Sequence, residues 1–168
     1  GRLTEPDAPV PRSRAANQSL NRARGELLLF LDDDDWLLPD HIGRLANALS
    51  KLPGHGAAYT GVALVDTNGQ PTGQAFDLPF DRVRLSAGNL MPIHAVMFRA
   101  KLLRQGLAFD PTLDLYEDWD FWNRLARLTV MAHWPGVSAV YQVHESSGVH
   151  EQSDAREQQA DEVMTRWL

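Results

Sequence analysis

The sequence has no cysteine, no long apolar run and no excess of basic residues, and each absence excludes a class of protein. Without cysteine, no disulfide, zinc–thiolate centre or thiol nucleophile can form, which is compatible with a reducing compartment. No run approaches the ~20 apolar residues of a membrane span, and the first residues show no signal-peptide pattern. The net charge of −6 argues against nucleic acid or an anionic membrane as the main partner. We therefore expect a cytoplasmic protein without a membrane span.

The composition is that of one ordinary globular domain. The chain has 168 residues, of which 43% are hydrophobic and 23% charged, enough to build a core. Three prolines fall in its first 11 residues, so we expect residues 1–12 to form an irregular lead-in rather than a strand. The whole of residues 1–168 is expected to be a single domain.

The most informative stretch is an apolar run followed by acids. Residues 27–31 are all apolar, Gly25 precedes the run, and residues 32–35 are four consecutive aspartates. This pattern predicts a strand over residues 26–31, buried on both faces as in the middle of a parallel sheet. The acids would then lie at the carboxyl end of the strand, where open α/β sheets bind their ligands.

Four adjacent carboxylates repel one another unless a positive charge lies between them. Because alternate residues of an extended chain point the same way, Asp32 and Asp34 could share one Mg²⁺ or Mn²⁺ ion. The same run could instead be a solvated turn, with Asp35 as the N-cap of a helix beginning at Trp36. An EF-hand calcium loop is disfavoured, because its sixth and twelfth positions would hold Leu37 and Gly43.

The rest of the chain divides into short elements typical of layered α/β proteins. Residues 70–87 are polar, contain two prolines and lack a convincing period, so we expect a loop there. Trp134-Pro135-Gly136 is expected to interrupt the apolar stretch 129–143. The remaining expected elements are helices at 13–24, 39–52 and 101–105 and from 117, strands at 57–65, 94–100 and 137–143, and a terminal helix within 154–168. The second helix is expected to bury Ile42, Leu45, Ala46 and Leu49.

A second acidic pair begins the helix that follows residue 116. Trp119 and Trp122 keep helical spacing, which places Glu117 and Asp118 in the first turn. Acids are favoured there by the helix dipole, so both could have a purely structural role. The functional alternative is a general base facing a cleft. His144, in a later loop, is either solvated or a ligand.

Taken together, these motifs resemble family-two glycosyltransferases, inverting enzymes of GT-A fold that use nucleotide-diphosphate sugars. The resemblance runs over roughly residues 13–145, with 146–168 as a C-terminal tail, and depends on the order and spacing of several motifs. The matching stretches are Ala16-Asn17, Ala23-Arg24-Gly25-Glu26, residues 30–36, Leu38-Pro39-Asp40, Phe109-Asp110 with Leu113, Glu117-Asp118-Trp119-Asp120, Trp122 and Arg124-Leu125.

The resemblance implies a role for each matching residue. The family's Asp-x-Asp motif falls on Asp32-Asp33-Asp34, with Asp34 as direct ligand of Mn²⁺ or Mg²⁺ and Asp32 reaching the metal or the ribose. Asp118 would be the catalytic base, with Glu117 beside it. The remaining implied contacts are Asp33, Arg14 and Asn17 with the nucleotide, and His144 with the metal or the diphosphate.

The same resemblance implies an N-terminally incomplete, Rossmann-like mixed sheet of GT-A type, flanked by helices. The family's first strands, which hold the nucleobase, have no counterpart here, so the strand over residues 27–31 should lack a neighbour. We expect a fragment of a longer enzyme, or else a chain that oligomerises through that edge.

The expected activity is metal-dependent, inverting transfer of a sugar, with a UDP-sugar as the favoured donor and a glycan or other hydroxyl as acceptor. Polysaccharide synthesis is the process by analogy with the family. The alternative is a non-catalytic module that binds a glycan or a partner. A nucleotidyltransferase is disfavoured, since it would need a glycine-rich basic phosphate loop. Trp36, Trp119 and Trp122 could stack on a sugar ring or belong to the core.

Overall fold

The computed structural model describes residues 10–113, 115–143 and 154–168, with side chains described from residue 157 in the last segment. Two 3₁₀ helices cover Ile93–Ala95 and Ala100–Gln105. The α-helices are α1 (Arg12–Arg22), α2 (His41–Lys51), α3 (Arg82–Ala87), α4 (Glu117–Leu128) and α5 (Asp154–Trp167). The strands are β1 (Leu27–Leu29), β2 (Trp36–Leu37), β3 (His55–Val65), β4 (Pro71–Phe76), β5 (Val96–Arg99) and β6 (Val130–Gln142).

The strands form one mixed sheet in the order β1-β5-β3-β6-β2, with β4 pairing with β3. The central pair β3 and β6 is parallel, and the other pairs are antiparallel. β1 and β2 are therefore the two ends of this path, although only residues 30–35 separate them in sequence. The aspartate run consequently belongs to a segment that crosses the sheet from one end to the other.

The first strand differs from its predicted form. β1 is three residues long, half-buried and antiparallel to β5, whereas the apolar run had predicted a strand buried on both faces of a parallel sheet. A continuous apolar run shows that a segment is buried, but it does not give the direction of its neighbour. Within the described residues β1 pairs with β5 alone, as expected for a strand that lacks one neighbour.

The last strand passes through the predicted interruption. β6 continues across residues 134–136 as a bulge, where its register against β3 shifts and Gly136 takes φ = 98°. The Arg44 guanidinium donates to the carbonyls of Pro135, Gly136 and Val137, and Asp77 accepts from the Gly136 N–H. These contacts satisfy backbone groups that the bulge takes out of the ladder.

Residues 70–87, expected to be a loop, contain β4 and α3. β4 is polar because nearly all of it is exposed on the sheet. α3 spans six residues, too few for a helical period to be read from the sequence, and begins where Asp81 accepts from the N–H groups of Val83 and Arg84. Residues 70–87 show no helical or strand-like hydrophobic period because neither β4 nor α3 buries a long apolar face.

The buried face of α2 also differs from the predicted one. The helix begins at His41, so Pro39 precedes it instead of lying in its first turn. His41, Leu45, Ala48 and Leu49 are buried, while Ile42 is 49% exposed. The buried stripe is rotated because the His41 ring has buried polar partners, described below, and can therefore take an inward position.

Helices cover both faces of the sheet. Ala58 and Met97 pack against α2, whereas their neighbours Ala57 and Phe98 belong to the larger core beside α4. On that larger side, an aromatic cluster joins the crossing segment to the helix through Phe30, Phe98, Phe109 and Phe121. The crossing segment is thus fixed by core packing just before its first aspartate.

Other predicted elements are confirmed. α4 begins at Glu117, the 3₁₀ helix at 100–105 ends at Gly106 in the left-handed region, and a helix closes the chain. Trp119 and Trp122 are buried, so both belong to the core. Among the described residues, no helix is both long and apolar enough to cross a membrane.

The terminal helix α5 is held on α4 by a buried carboxylate. Asp120 is fully buried and accepts from Arg124 Nε (2.6 Å), Arg166 Nη1 (3.0 Å) and Trp167 Nε1 (2.9 Å). Charge-assisted hydrogen bonds of this kind are roughly twice as strong as neutral ones. Asp120 therefore links the C-terminal helix to the first turn of α4, two residues from Asp118.

We expect Asp120→Ala to lower the free energy of unfolding by about 3 kcal/mol, because it removes the buried acceptor that three donors share. Urea titration followed by circular dichroism measures this change. Glu162→Ala is the matched control, since Glu162 accepts from the same Arg166 but is exposed, and it should cost less than about 0.5 kcal/mol. Equal effects of the two substitutions would show that Asp120 does not hold α5.

Candidate functional site

The crossing segment gathers three of its four aspartates into one cluster. A turn at residues 33–34 brings one carboxylate oxygen each from Asp32, Asp34 and Asp35 within 4.8 Å of one another. Asp33 is exposed and lies outside this group. The turn replaces the extended chain assumed from the sequence, so the cluster includes Asp35 as well as the alternating pair. We call Asp32, Asp34 and Asp35 the aspartate cluster.

Asp35 anchors this cluster and is not the helix cap that the sequence suggested. Trp36 begins a strand, and the Asp35 side chain is buried instead of facing a helix end. One carboxylate oxygen accepts from the Gln142 N–H at 3.0 Å, and the other lies 2.9 Å from His94 Nδ1. Both contacts come from residues distant in sequence, so local capping rules could not reveal them.

A buried polar network centred on His41 holds the backbone of His94 in place. His41 Nε2 lies 3.1 Å from the His94 carbonyl oxygen and must donate to it, because a carbonyl only accepts. His41 Nδ1 lies 2.8 Å from the Ser138 hydroxyl, which donates to Thr60 Oγ1 at 2.8 Å. Burial lowers the pKa of His41, which keeps this ring neutral. The network ties α2, β3 and β6 to the residue beside Asp35.

The second acidic pair lies in the first turn of α4, as expected. Glu117 is 7% exposed, and burial together with the neighbouring Asp118 charge raises its pKa to about 7. Burial also raises the pKa of Asp118, against the opposing effect of a 2.8 Å hydrogen bond donated by Asn89 Nδ2 to Oδ2. Both groups are therefore more basic than ordinary carboxylates.

One guanidinium joins the two acidic groups. Arg12 Nη2 lies 2.6 Å from Asp32 Oδ2, and Arg12 Nε lies 3.3 Å from Glu117 Oε1. Burial raises the pKa of Asp32, while the Arg12 charge opposes the rise. The structure thus brings the aspartate cluster and the acidic pair of α4 to the same place.

Arg12 was not identified from the sequence, which pointed to Arg14 as the basic residue of the site. Two arginines two residues apart at the start of a short helix carry no signal that separates them. Arg14 is exposed on α1, whereas Arg12 lies at the first helical position and reaches the acids. His94 was also missed; its only sequence signal was a histidine within an apolar stretch.

The other predicted site residues fall in different places. The Asn17 amide is engaged with the backbone of Phe109, accepting from its N–H and donating to its carbonyl at 2.9 Å each. Its proposed contact with a nucleotide stays a prediction. His144 lies outside the described residues. Trp36, 39% exposed beside the cluster, is the one of the three named tryptophans that can present a ring face to a ligand.

The donors of the aspartate cluster suit a hard divalent cation. Carboxylate oxygens are the ligands that Mg²⁺ and Mn²⁺ prefer, and three of them converge here from one turn. Glu117 and Asp118 add further negative charge nearby, and Arg12 balances only part of it. The residues present therefore fit a divalent ion, with Asp32 and Asp34 as candidate ligands and Asp35 as the anchored member.

Comparison with solved structures identifies the fold. S. aureus TarS 1–349 in complex with UDP-GlcNAc superposes with a TM-score of 0.62 and 16% identity, over 90% of this chain and 50% of that one. The same protein in complex with UDP superposes with a TM-score of 0.60 and 16% identity, over 92% of this chain and 44% of that one. The mixed sheet flanked by helices is thus the GT-A architecture, as expected, and the chain spans about half the length of these TarS structures.

Sequence comparison gives the family. No match was found among curated proteins. The model of the family described as "Glycosyl transferase family 2" matches residues 11–105, which include Arg12, the aspartate cluster and His94. Since that match covers more than half of the 168 residues, the chain belongs to glycosyl transferase family 2.

Proposed function

We propose that this chain is the part of a metal-dependent, inverting glycosyltransferase that holds the donor diphosphate and the catalytic base. The observation that carries the proposal is the meeting of the aspartate cluster with Glu117 and Asp118 around Arg12. Family membership supports transfer of a sugar from a nucleotide-diphosphate donor to an acceptor hydroxyl. Metal dependence is supported by the arrangement of the acids. Inversion is proposed from the resemblance to family-two enzymes.

The aspartate cluster is proposed to hold Mn²⁺ or Mg²⁺, with Asp34 and Asp32 as ligands. Such an ion, when bound, offsets the negative charge that develops on the departing diphosphate. Asp35 keeps the cluster in place through Gln142 and His94. Further contacts carried over from the sequence are Asp33, Arg14 and Asn17 with the nucleotide and His144 with the metal or diphosphate.

Asp118 is proposed as the general base. The acceptor oxygen forms a bond to the anomeric carbon as the bond from that carbon to the diphosphate oxygen breaks, and Asp118 takes the acceptor proton. In-line attack inverts the anomeric centre. Asn89 fixes one Asp118 oxygen, and the raised pKa of this carboxyl favours proton uptake. Glu117 is proposed to assist, since its pKa of about 7 lies near the operating range of a base.

The proposed donor is a UDP-sugar. TarS, which shares the fold, has been crystallised with UDP and with UDP-GlcNAc. The acceptor is proposed to be a glycan or another hydroxyl compound, with Trp36 as a stacking surface beside the cluster. A cytoplasmic location is part of the proposal.

A non-catalytic module that binds a glycan or a partner is the second candidate. The chain spans 44% to 50% of the length of the TarS structures. The two functions differ in whether these residues bind a nucleoside diphosphate through a metal ion.

We expect UDP to bind this chain in the presence of Mn²⁺, and Asp34→Asn to weaken that binding at least about tenfold by removing a ligand oxygen. Isothermal titration calorimetry, with and without Mn²⁺, measures both effects. Asp40→Asn is the matched control, because it removes the same charge from an exposed position outside the cluster. Metal-independent UDP binding, or equal losses in the two variants, would contradict the proposed site. A folded chain that binds no UDP would favour the non-catalytic module.

Asp118→Asn is expected to leave UDP binding in Mn²⁺ within about twofold and to reduce sugar transfer by about 10²- to 10⁴-fold, the usual contribution of a general base. The measurement is release of UDP from UDP-GlcNAc, to water or to an added acceptor, alongside calorimetry of UDP. Transfer that survives in Asp118→Asn but is lost in Glu117→Gln would assign the base to Glu117.

The pKa of Glu117 predicts a pH dependence of stability in the metal-free chain. The folded state favours protonated Glu117, so its contribution is present below pH about 4.5 and is lost as pH rises through about 7. We expect Glu117→Gln to gain on the order of 2–3 kcal/mol relative to the unmodified chain between pH 4.5 and 8. Urea titrations with EDTA across that range measure the difference. Glu26→Gln, at an exposed glutamate, should show no such trend.

A further inference from the structure

Arg12 is placed where a bound cation would neutralise the same acids. Its Nη2 lies 2.6 Å from Asp32 Oδ2, and its Nε lies 3.3 Å from Glu117 Oε1. The charges of Asp34 and Asp118 also act on it and favour its charged form. One side chain therefore supplies the positive charge that four acids share.

The Arg12 side chain is held by ion pairs and not by core packing. It is 66% exposed and belongs to the first residue of α1, beside Pro11, where the helix has no side-chain cap. By contrast, the side chains of Asp32 and Glu117 are 33% and 9% exposed and are therefore more restricted than Arg12. Rotation of Arg12 into solvent would cost a partly exposed ion pair but no core packing.

A divalent ion and this guanidinium compete for the same Asp32 carboxylate. An ion ligated by Asp32 would lie about 2.0–2.6 Å from a carboxylate oxygen, which is as close as the guanidinium nitrogen now is. Two cations at such distances repel each other strongly when they are partly shielded from water. Binding of the ion at Asp32 and the present Arg12 contact are therefore mutually opposed.

We propose that Arg12 is an internal counter-ion, which occupies the place of the cation in the empty site and is displaced from Asp32 when a divalent ion binds. This inference rests on the proposed function, in which Asp32 and Asp34 hold that ion. Arg12 limits the affinity for the free ion and keeps the acids from repelling one another in its absence. The opposite role, a permanent contact to the diphosphate, would make Arg12 favour binding of the nucleotide and leave binding of the metal alone unaffected.

The test is titration of Mn²⁺ alone, without nucleotide, followed by the loss of the free-ion electron paramagnetic resonance signal. Arg12→Gln is expected to bind Mn²⁺ about 3- to 5-fold more tightly than the unmodified chain, as removal of a competing ion pair implies. Arg12→Lys should fall between them, since an ammonium group keeps the charge but not the two-point contact.

Arg14→Gln is the matched control, because it removes the same charge two residues away on the same helix, at an exposed position. It should change the Mn²⁺ affinity less than about 1.5-fold at 0.15 M salt, where exposed charges are screened. An Arg12→Gln affinity equal to or weaker than that of Arg14→Gln would overturn the proposal, provided that circular dichroism shows both variants folded.

Two further outcomes separate this inference from the proposed function. Mn²⁺ binding that is lost in Asp34→Asn but unchanged in Arg12→Gln would keep the metal site and refute the counter-ion. Absence of Mn²⁺ binding in the unmodified chain and in Arg12→Gln alike would refute both the metal-dependent function and the inference that rests on it.

Discussion

The structure depends on keeping five carboxylates together at one end of a small sheet. Asp32, Asp34 and Asp35 come from the crossing segment, and Glu117 and Asp118 come from the first turn of α4. Such a group is unfavourable in isolation, because each charge raises the cost of ionising the next. The raised pKa values of Asp32, Glu117 and Asp118 record that cost, with burial as its largest part. A fold that holds these groups so close is organised for a ligand that brings positive charge.

The rest of the fold supplies rigid supports for that arrangement. Phe30 fixes one end of the crossing segment in the aromatic core, and Asp35 fixes the other through Gln142 and His94. On the opposite side, α4 is held by Asp120, whose hydrogen bonds to Arg166 and Trp167 secure the terminal helix. The acids on α4 and those on the crossing segment therefore share the aromatic core but have separate polar anchors. Between them, the exposed Arg12 is the most adjustable element of the site.

The elements that were predictable from the sequence are those with a strong local signal. The helix beginning at Glu117 was predicted by tryptophan spacing, and the aspartate run marked the site. The strand β4 pairs with the adjacent β3, but it is polar and exposed and so gave no apolar pattern. The direction of β1 and the bulge in β6 were not predictable, because each depends on a partner far away in sequence. The same reason explains Arg12, Asp35 and His94: their roles come from contacts across 20 to 107 residues, which no local pattern encodes.

The two groups of acids in the site come from different parts of the chain. The aspartate cluster belongs to the matched family region, whereas Glu117 and Asp118 lie beyond residue 105 and reach the cluster only because α4 packs on the aromatic core. A change in that packing would alter the distance between the proposed metal ligands and the proposed base without touching either group. Since catalysis by positioned groups is sensitive to displacements of about 1 Å, the core residues under α4 bear on the chemistry as directly as the acids themselves. Because Asp120 of α4 accepts hydrogen bonds from Arg166 and Trp167, the position of α4 also depends on the terminal helix.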